Sequence, residues 1–185
     1  QWYWRDWTLR TGNLEEYLRL TQERANVSPS STSRRTPSSP DLSLVTAAKG
    51  DLVAARNLLA RTIEWSRAEV KKDPDNALLW SSLAMREAIL DNREAALRCA
   101  HKAQELYPEA EDAWFGPMHS VTLAFVYAWT GDKERAIAEY ARLLRVCSSG
   151  LNVHEMKLHP AYAPLRGDAR FEALLNDPKN NAPLF

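Results

Sequence analysis

The sequence has no excess of charge of either sign, because 24 Lys and Arg residues balance 24 Asp and Glu residues in a chain of 185. A chain without a basic excess lacks the charge that supplies most affinity for phosphate backbones, so we expect no nucleic-acid partner. The two cysteines, Cys99 and Cys147, lack CxxC spacing and are too few for a disulfide framework. Each lies in a helical pattern, which favours a buried free thiol.

Long apolar runs and targeting patterns are also missing. No stretch approaches the roughly 18 apolar residues of a membrane span, so we expect no membrane insertion of this segment. No signal-peptide pattern is present, and the chain begins at Gln1 rather than Met. We therefore expect a soluble domain from a longer protein, in a compartment that the sequence leaves unknown.

Motifs of catalysis and metal binding are absent as well. The chain has no GxSxG, P-loop or GxGxxG motif. The closest histidine pair, His154 and His159, is spaced i, i+5, and five residues turn a helix by about 140°, so the two rings would point apart. The sequence therefore predicts no enzyme, and no catalytic, cofactor-binding or metal site. The alternative is an accessory domain of an enzyme, with a cryptic site near His119, His154 and Glu155.

The sequence does contain signs of an internal repeat. Pro74 and Pro108 lie 34 residues apart, and 34 is the length of a helix–turn–helix repeat. The segment 76–84 (NALLWSSLA) predicts the first helix of this unit, and Pro108 ends the second because proline cannot continue a helix. Small residues suited to close packing follow in the second helix, at Ala96, Ala100 and Ala103.

A second unit follows after an insertion. Its first helix is predicted to begin at Pro117, because proline in a helix interior costs about 3 kcal/mol but is tolerated at the first position. Six extra residues, 109–114, then form a loop ahead of it. Gly131 suits the turn between the two helices. The close-packing positions are Ala124 and Ala136.

The earlier units follow the pattern less closely. Gly50 marks a turn, after which a single helix is predicted from Leu52 through Lys72, and its partner is short because Pro37 and Pro40 block an earlier start. The apolar stripe of the long helix is Leu52, Ala55, Leu59, Thr62, Ser66 and Val70. Gly12 opens a degenerate first unit.

These units resemble the tetratricopeptide (TPR) repeat family. The segment 158–175 (LHPAYAPLRGDARFEALL) is also similar to the ending of many bacterial TPR regions. Such regions often lie at the C-terminus of membrane-anchored serine/threonine kinases or of TolB/CadC-like regulators. The resemblance covers residues 74–176 well and 1–73 loosely. It implies an all-α fold, in which antiparallel helix–turn–helix repeats stack into a short right-handed superhelix with a C-terminal capping helix.

Four regions are predicted on this basis. Residues 1–29 form a degenerate N-terminal repeat, 30–40 a Ser/Pro-rich connector, 41–149 the TPR repeats and 150–185 the capping segment and tail. Asp168 is expected to cap the last helix at its N-terminus, ahead of an apolar stripe. The stripe consists of Phe171, Leu174 and Leu175.

The family register implies a concave groove lined by the first helix of each unit. It would bind a segment of another protein by burial of apolar surface, with Phe125 and Trp129 as anchors. A clamp for a C-terminal carboxylate is not expected, because Ser81 and Met85 stand where a cation is needed. The predicted groove residues are Leu78, Ser81, Ser82, Met85, Ile89, Met118, Val121, Thr122, Phe125 and Trp129.

The sequence therefore predicts a non-catalytic scaffold or regulatory domain of a bacterial signalling protein, either cytoplasmic or periplasmic. Its partner would be a protein or peptide. Two alternatives stay open for the groove residues: they pack within the helical array, or they lie under the connector. Self-association through the aromatic N-terminal segment 1–7 (QWYWRDW) is a further alternative.

Overall fold

The computed structural model describes residues 11–27, 40–60 and 62–181. This part of the chain is all helical and contains no β-strand, which confirms the predicted all-α class. The α-helices are α1 (Leu14–Val27), α2 (Pro40–Ala48), α3 (Leu52–Ala60), α4 (Ile63–Lys72), α5 (Ala77–Ile89), α6 (Arg93–Leu106), α7 (Gly116–Trp129), α8 (Lys133–Leu143), α9 (Val153–Leu158), α10 (Ala169–Asn176) and α11 (Pro178–Asn181). Two 3-10 helices lie at Cys147–Ser149 and Pro160–Leu165.

Three helix pairs, α2–α3, α5–α6 and α7–α8, share one type of turn. A residue in the left-handed region ends the first helix of each pair, and the next residue donates its N–H back to a carbonyl five positions earlier. This turn satisfies carbonyl groups at the end of the first helix and directs the second helix antiparallel to the first. The left-handed residues are Gly50 (φ 93°), Asp91 (φ 68°) and Gly131 (φ 86°).

Small residues bring the paired helices together, as the sequence predicts. Ala96, Ala100, Ala103, Ala124 and Ala136 are all fully buried. Around them, one core cluster joins α2 through α7, and a second joins α7 and α8 to the C-terminal segment. The predicted capping helix α10 belongs to the second cluster through Phe171 and Leu175, and Asp168 accepts the N–H of Arg170 at its start.

The single helix predicted from Leu52 through Lys72 is wrong, because the structure divides it into α3 and α4. At the break, the Thr62 N–H and hydroxyl both donate to the Leu59 carbonyl, at 2.9 Å and 3.2 Å. This local bonding by a β-branched residue replaces the regular helical bond. The predicted stripe still faces the core, with Ala55, Leu59, Ser66 and Val70 buried, whereas Leu52 is exposed.

The predicted start of α7 is confirmed to within one residue. The helix begins at Gly116, and Pro117 lies in its first turn, where its missing N–H costs nothing. A loop at 107–115 contains the predicted segment 109–114 and is longer than predicted. The loop folds tightly against the helix, since a Cβ at Gly116 would lie 2.7 Å from the Glu109 Cα.

The two cysteines differ. Cys99 is buried as predicted, and burial raises the pKa of its thiol to about 11. The prediction that Cys147 is buried is wrong, because α8 ends at Leu143 and Cys147 begins an exposed 3-10 turn.

Two of the predicted features lie outside the described residues: most of the connector, 30–39, and the aromatic segment 1–7. Among the helices that the structure describes, none is both long enough and apolar enough to cross a bilayer.

Candidate protein-binding face

The predicted groove residues lie on a layer formed by the first helices of the three pairs. Helix α5 packs against both α2 and α7. We call the side of this layer that carries the predicted groove residues the inner face. Its two ends, at the N-terminal and C-terminal ends of α5 and α7, differ in what covers them.

The C-terminal segment of the chain covers one end of the inner face. The 3-10 helix Pro160–Leu165 contacts α2, α7 and α8. The Trp129 indole Nε1 donates to the Ala161 carbonyl at 2.9 Å, and the Trp129 ring stacks on Phe125 with centroids 5.5 Å apart. Tyr162 packs its ring edge against Tyr140, at 5.2 Å between centroids. We call this the covered end.

Four of the predicted groove residues are buried within the fold. Phe125 is only 2% exposed and lies in the first core cluster, so its packing follows the alternative that such residues belong to the array. Ser81, Ile89 and Thr122 are also buried, and Met85, Val121 and Trp129 are half-buried. Among the predicted groove residues, Leu78 and Met118 are exposed. A continuous open groove is not what the structure shows, and the binding role of the buried residues stays a prediction.

A buried polar pair joins α5 to α7 beneath the other end. Ser81 Oγ and His119 Nδ1 lie 2.8 Å apart, and the Tyr107 ring contacts the imidazole with centroids 5.8 Å apart. Burial lowers the pKa of His119, and the nearby Asp112 carboxylate opposes this shift. A neutral imidazole therefore fits this core position.

The alternative catalytic site is not assembled by the fold. His119 is buried between α5 and α7, whereas His154 and Glu155 lie on α9, with His154 exposed. A depression between α6, α7 and α8 is lined by Gln104, Tyr107, Pro108, Glu109, Gly116, Ser120, Glu139 and Arg142, and by none of those three. In the parts of the chain that the structure describes, no three His, Cys, Asp or Glu side chains come together as metal ligands.

A charged network in that depression fixes the loop 107–115. Arg142 donates through both terminal nitrogens to the Glu109 carboxylate, at 2.9 Å and 2.7 Å. The Ser120 hydroxyl also donates to Glu109 and accepts from Gln104 Nε2 at 2.8 Å. The bonds from Arg142 lower the pKa of Glu109. The loop is thus tied to both α7 and α8.

The fixed loop presents large apolar side chains to solvent. Asp112 Oδ1 accepts the N–H groups of Trp114 and Phe115, at 2.9 Å and 2.8 Å, and so holds the turn that carries them. Trp114 is 72% exposed and Phe115 51%. Met118 on α7 is 40% exposed and Leu78 on α5 is 59% exposed.

These four residues, Leu78, Trp114, Phe115 and Met118, form what we call the open-end patch. The Ser81–His119 bond places the first turns of α5 and α7 side by side. Leu78 lies one turn before Ser81, while Phe115 and Met118 lie within one turn before His119. Sequence reasoning identified Leu78 and Met118 but missed Trp114 and Phe115. The available signal was two adjacent aromatic residues within a polar insertion.

In comparisons with protein-family models, curated proteins and solved structures, no match was found. The relation to TPR proteins therefore rests on the sequence pattern and stays a prediction.

Proposed function

We propose that this chain is a non-catalytic helical-repeat module of the TPR type, which binds another protein through the open-end patch. The observation that carries the proposal is the patch itself. Four large apolar side chains lie exposed at neighbouring positions, on a loop and helix ends that the structure holds in place. Exposed apolar side chains grouped on ordered elements are typical of interaction sites, and Trp is among the residues enriched at binding hot spots.

The repeat assignment is supported by the spacing of the turns. The left-handed residues Gly50, Asp91 and Gly131 are 41 and 40 residues apart. Each interval exceeds the TPR length of 34, and the excess corresponds to the elongated 52–72 region in the first case and to the loop 109–114 in the second. Stacking of such pairs would give the short right-handed superhelix that the family resemblance implies.

The wider context of the proposal comes from the same resemblance. The module would act as a scaffold or regulatory part of a larger bacterial signalling protein. Binding would depend on burial of apolar surface and would involve no turnover. A fixed loop favours this mode, because ordering the binding residues before association lowers the entropy cost of binding.

The test is quantitative affinity capture with three forms of the chain. The patch variant Trp114→Ala/Met118→Ala is compared with the wild type and with Trp65→Ala, an exposed Trp on α4 that serves as the matched control. We expect a defined protein to bind the wild type and the control, to be lost by the patch variant, and to bind the wild type directly once purified. Equal binding by all three forms, or no binding by any, would refute the proposal.

A further inference from the structure

Acidic residues flank the open-end patch in the sequence. The two segments that carry its side chains, 73–78 and 107–118, contain no Lys or Arg. They contain five acidic residues, which we call the acidic rim: Asp73, Asp75, Glu109, Glu111 and Asp112. The chain as a whole is neutral, so these two segments concentrate negative charge. Lys71 and Lys72 directly precede the first segment, and Lys72 pairs with Glu69 at 2.7 Å.

Most of that charge is not neutralised within the fold. Arg142 pairs with Glu109, and Lys102 pairs with the neighbouring Glu105. The Asp73 carboxylate accepts the Asn76 side-chain amide, and the Asp112 carboxylate accepts the backbone N–H groups of Trp114 and Phe115. Within residues 62–181, no ion pair of 4 Å or less involves Asp73, Asp75, Glu111 or Asp112.

Both acidic segments are held in position. The Trp80 indole Nε1 donates to the Pro74 carbonyl at 2.7 Å, which ties the first segment to α5. The Glu109–Arg142 pair ties the second to α8. A fixed arrangement of apolar side chains with carboxylates around them has a definite complement, which is an apolar segment with cations at its flanks.

We infer that the partner of the open-end patch is a basic amphipathic segment of another protein, whose apolar side chains pack on Trp114 and Met118 while flanking Lys or Arg residues face the acidic rim. This inference rests on the proposed function and specifies its ligand. A second copy of the chain docked through the same patch would bring two acidic rims together, and like charges at an interface are unfavourable. An anionic membrane surface or a nucleic acid would meet the same repulsion.

The rim should act mainly on the rate of association. Charges at the edge of an interface steer the encounter and depend on salt, whereas central apolar contacts govern dissociation. Neutralising the rim should therefore slow binding without changing the apolar requirement of the site.

The experiment begins with a random peptide library, displayed on phage, with peptides long enough for about four helical turns. The library is selected on the whole chain, and enriched peptides are synthesised and measured by fluorescence anisotropy. The panel contains the wild type, Trp114→Ala/Met118→Ala, and the rim variant Asp75→Asn/Glu111→Gln. Glu94→Gln, a highly exposed carboxylate on α6, is the charge control.

We expect enriched peptides to combine apolar residues with Lys or Arg. Their affinity should fall by about tenfold or more in the patch variant and by about threefold to tenfold in the rim variant, with Glu94→Gln unchanged. At high salt, the difference in affinity between the rim variant and the wild type should shrink, because salt screens the attraction between the wild-type carboxylates and the peptide cations.

The other outcomes separate the two claims. Peptides that require Trp114 and Met118 but show no preference for Lys or Arg would overturn the inference and leave the proposed function intact. Failure to enrich any peptide that the patch variant loses would overturn both. Sedimentation that shows a wild-type dimer, dissociated by Trp114→Ala, would identify a second copy as the occupant and also overturn the inference.

Discussion

The two ends of the inner face carry similar side chains in very different surroundings. At the open end, Leu78 and Met118 face solvent, whereas at the covered end Ile89 and Phe125 are almost completely buried. All four lie on α5 or α7 and belong to the same predicted stripe. Ile89 and Phe125 belong to the core cluster that joins α2 through α7, and Ala161, in a segment more than 30 residues beyond Trp129, packs against that cluster. An apolar stripe on a helix therefore defines a surface to be covered, and only the fold determines what covers it.

The largest expected effect separates the two ends by stability. Phe125→Ala should lower the free energy of unfolding by about 3–5 kcal/mol, because it leaves a cavity in a packed core. Leu78→Ala should change it by less than about 0.5 kcal/mol, since an exposed side chain loses little packing. Urea denaturation followed by circular dichroism measures both. If the two variants lost similar amounts of unfolding free energy, Leu78 would be part of the packed core rather than of an open surface.

A pair of conservative substitutions makes the same comparison at a smaller scale. Trp129→Phe retains a ring but removes the donor to the Ala161 carbonyl, which should cost about 1–2 kcal/mol. Trp114→Phe should have almost no effect on stability, because that side chain is mostly exposed. Thermal unfolding of both variants provides the measurement. If Trp129→Phe proved neutral, the indole bond would not help to hold the C-terminal segment in place.

The turns next to the covered end allow a further test of whether the two hairpins are equivalent. Asp91 occupies the left-handed position that Gly131 occupies in the next pair. Asp91→Gly should stabilise the chain by about 0.5 kcal/mol, since glycine adopts this conformation without steric cost and the Arg56–Asp91 ion pair is largely exposed. Gly131→Ala should destabilise it by about 1 kcal/mol through backbone strain alone, as no atom lies within 4 Å of the added Cβ. In urea denaturation, a higher midpoint for Asp91→Gly and a lower midpoint for Gly131→Ala, with the slopes of both transitions unchanged, would confirm the two predictions.

The smallest expected effect depends on pH and belongs to the open end. Burial lowers the folded-state pKa of His119 below its ordinary value of 6.5. As pH falls below about 6.5, the unfolded chain therefore takes up a proton that the folded chain does not, and stability falls until the folded pKa is passed. His119→Gln should remove this contribution. Unfolding free energies of the two forms between pH 7.5 and pH 5, about the range in which histidine titrates, should converge as pH falls; parallel curves would contradict the argument.

The parts of the fold that sequence reasoning predicted correctly depend on local chemistry. Proline placed the starts of α2 and α7, and buried alanines marked where helices approach closely. The errors share a different cause. Neither the bonding of Thr62 to Leu59 nor the early end of α8 before Cys147 changes the helical periodicity of the sequence. The local sequence pattern therefore could not reveal the break between α3 and α4 or the end of α8 at Leu143.

The candidate site was predicted only in part for a related reason. Leu78 and Met118 followed from the register, but core and interface residues have the same composition in an apolar stripe. The sequence around Phe125 does not reveal that Ala161 packs nearby and accepts a hydrogen bond from Trp129, which stacks on Phe125. Phe125 was therefore predicted to line the groove. Trp114 and Phe115 became visible as a site only when Asp112 and Arg142 were seen to hold their loop in place.

The contact between α2 and the 3-10 helix Pro160–Leu165 joins parts of the chain more than 100 residues apart. Repeat arrays ordinarily fold from neighbour to neighbour, so that each unit can form as soon as it leaves the ribosome. Here α2 obtains one of its packing partners only after residue 165 has been added. At common rates of translation, that surface of α2 would wait on the order of ten seconds for its partner. During synthesis, α2 would therefore pack first against α3 and α5 and keep this one surface open until the end.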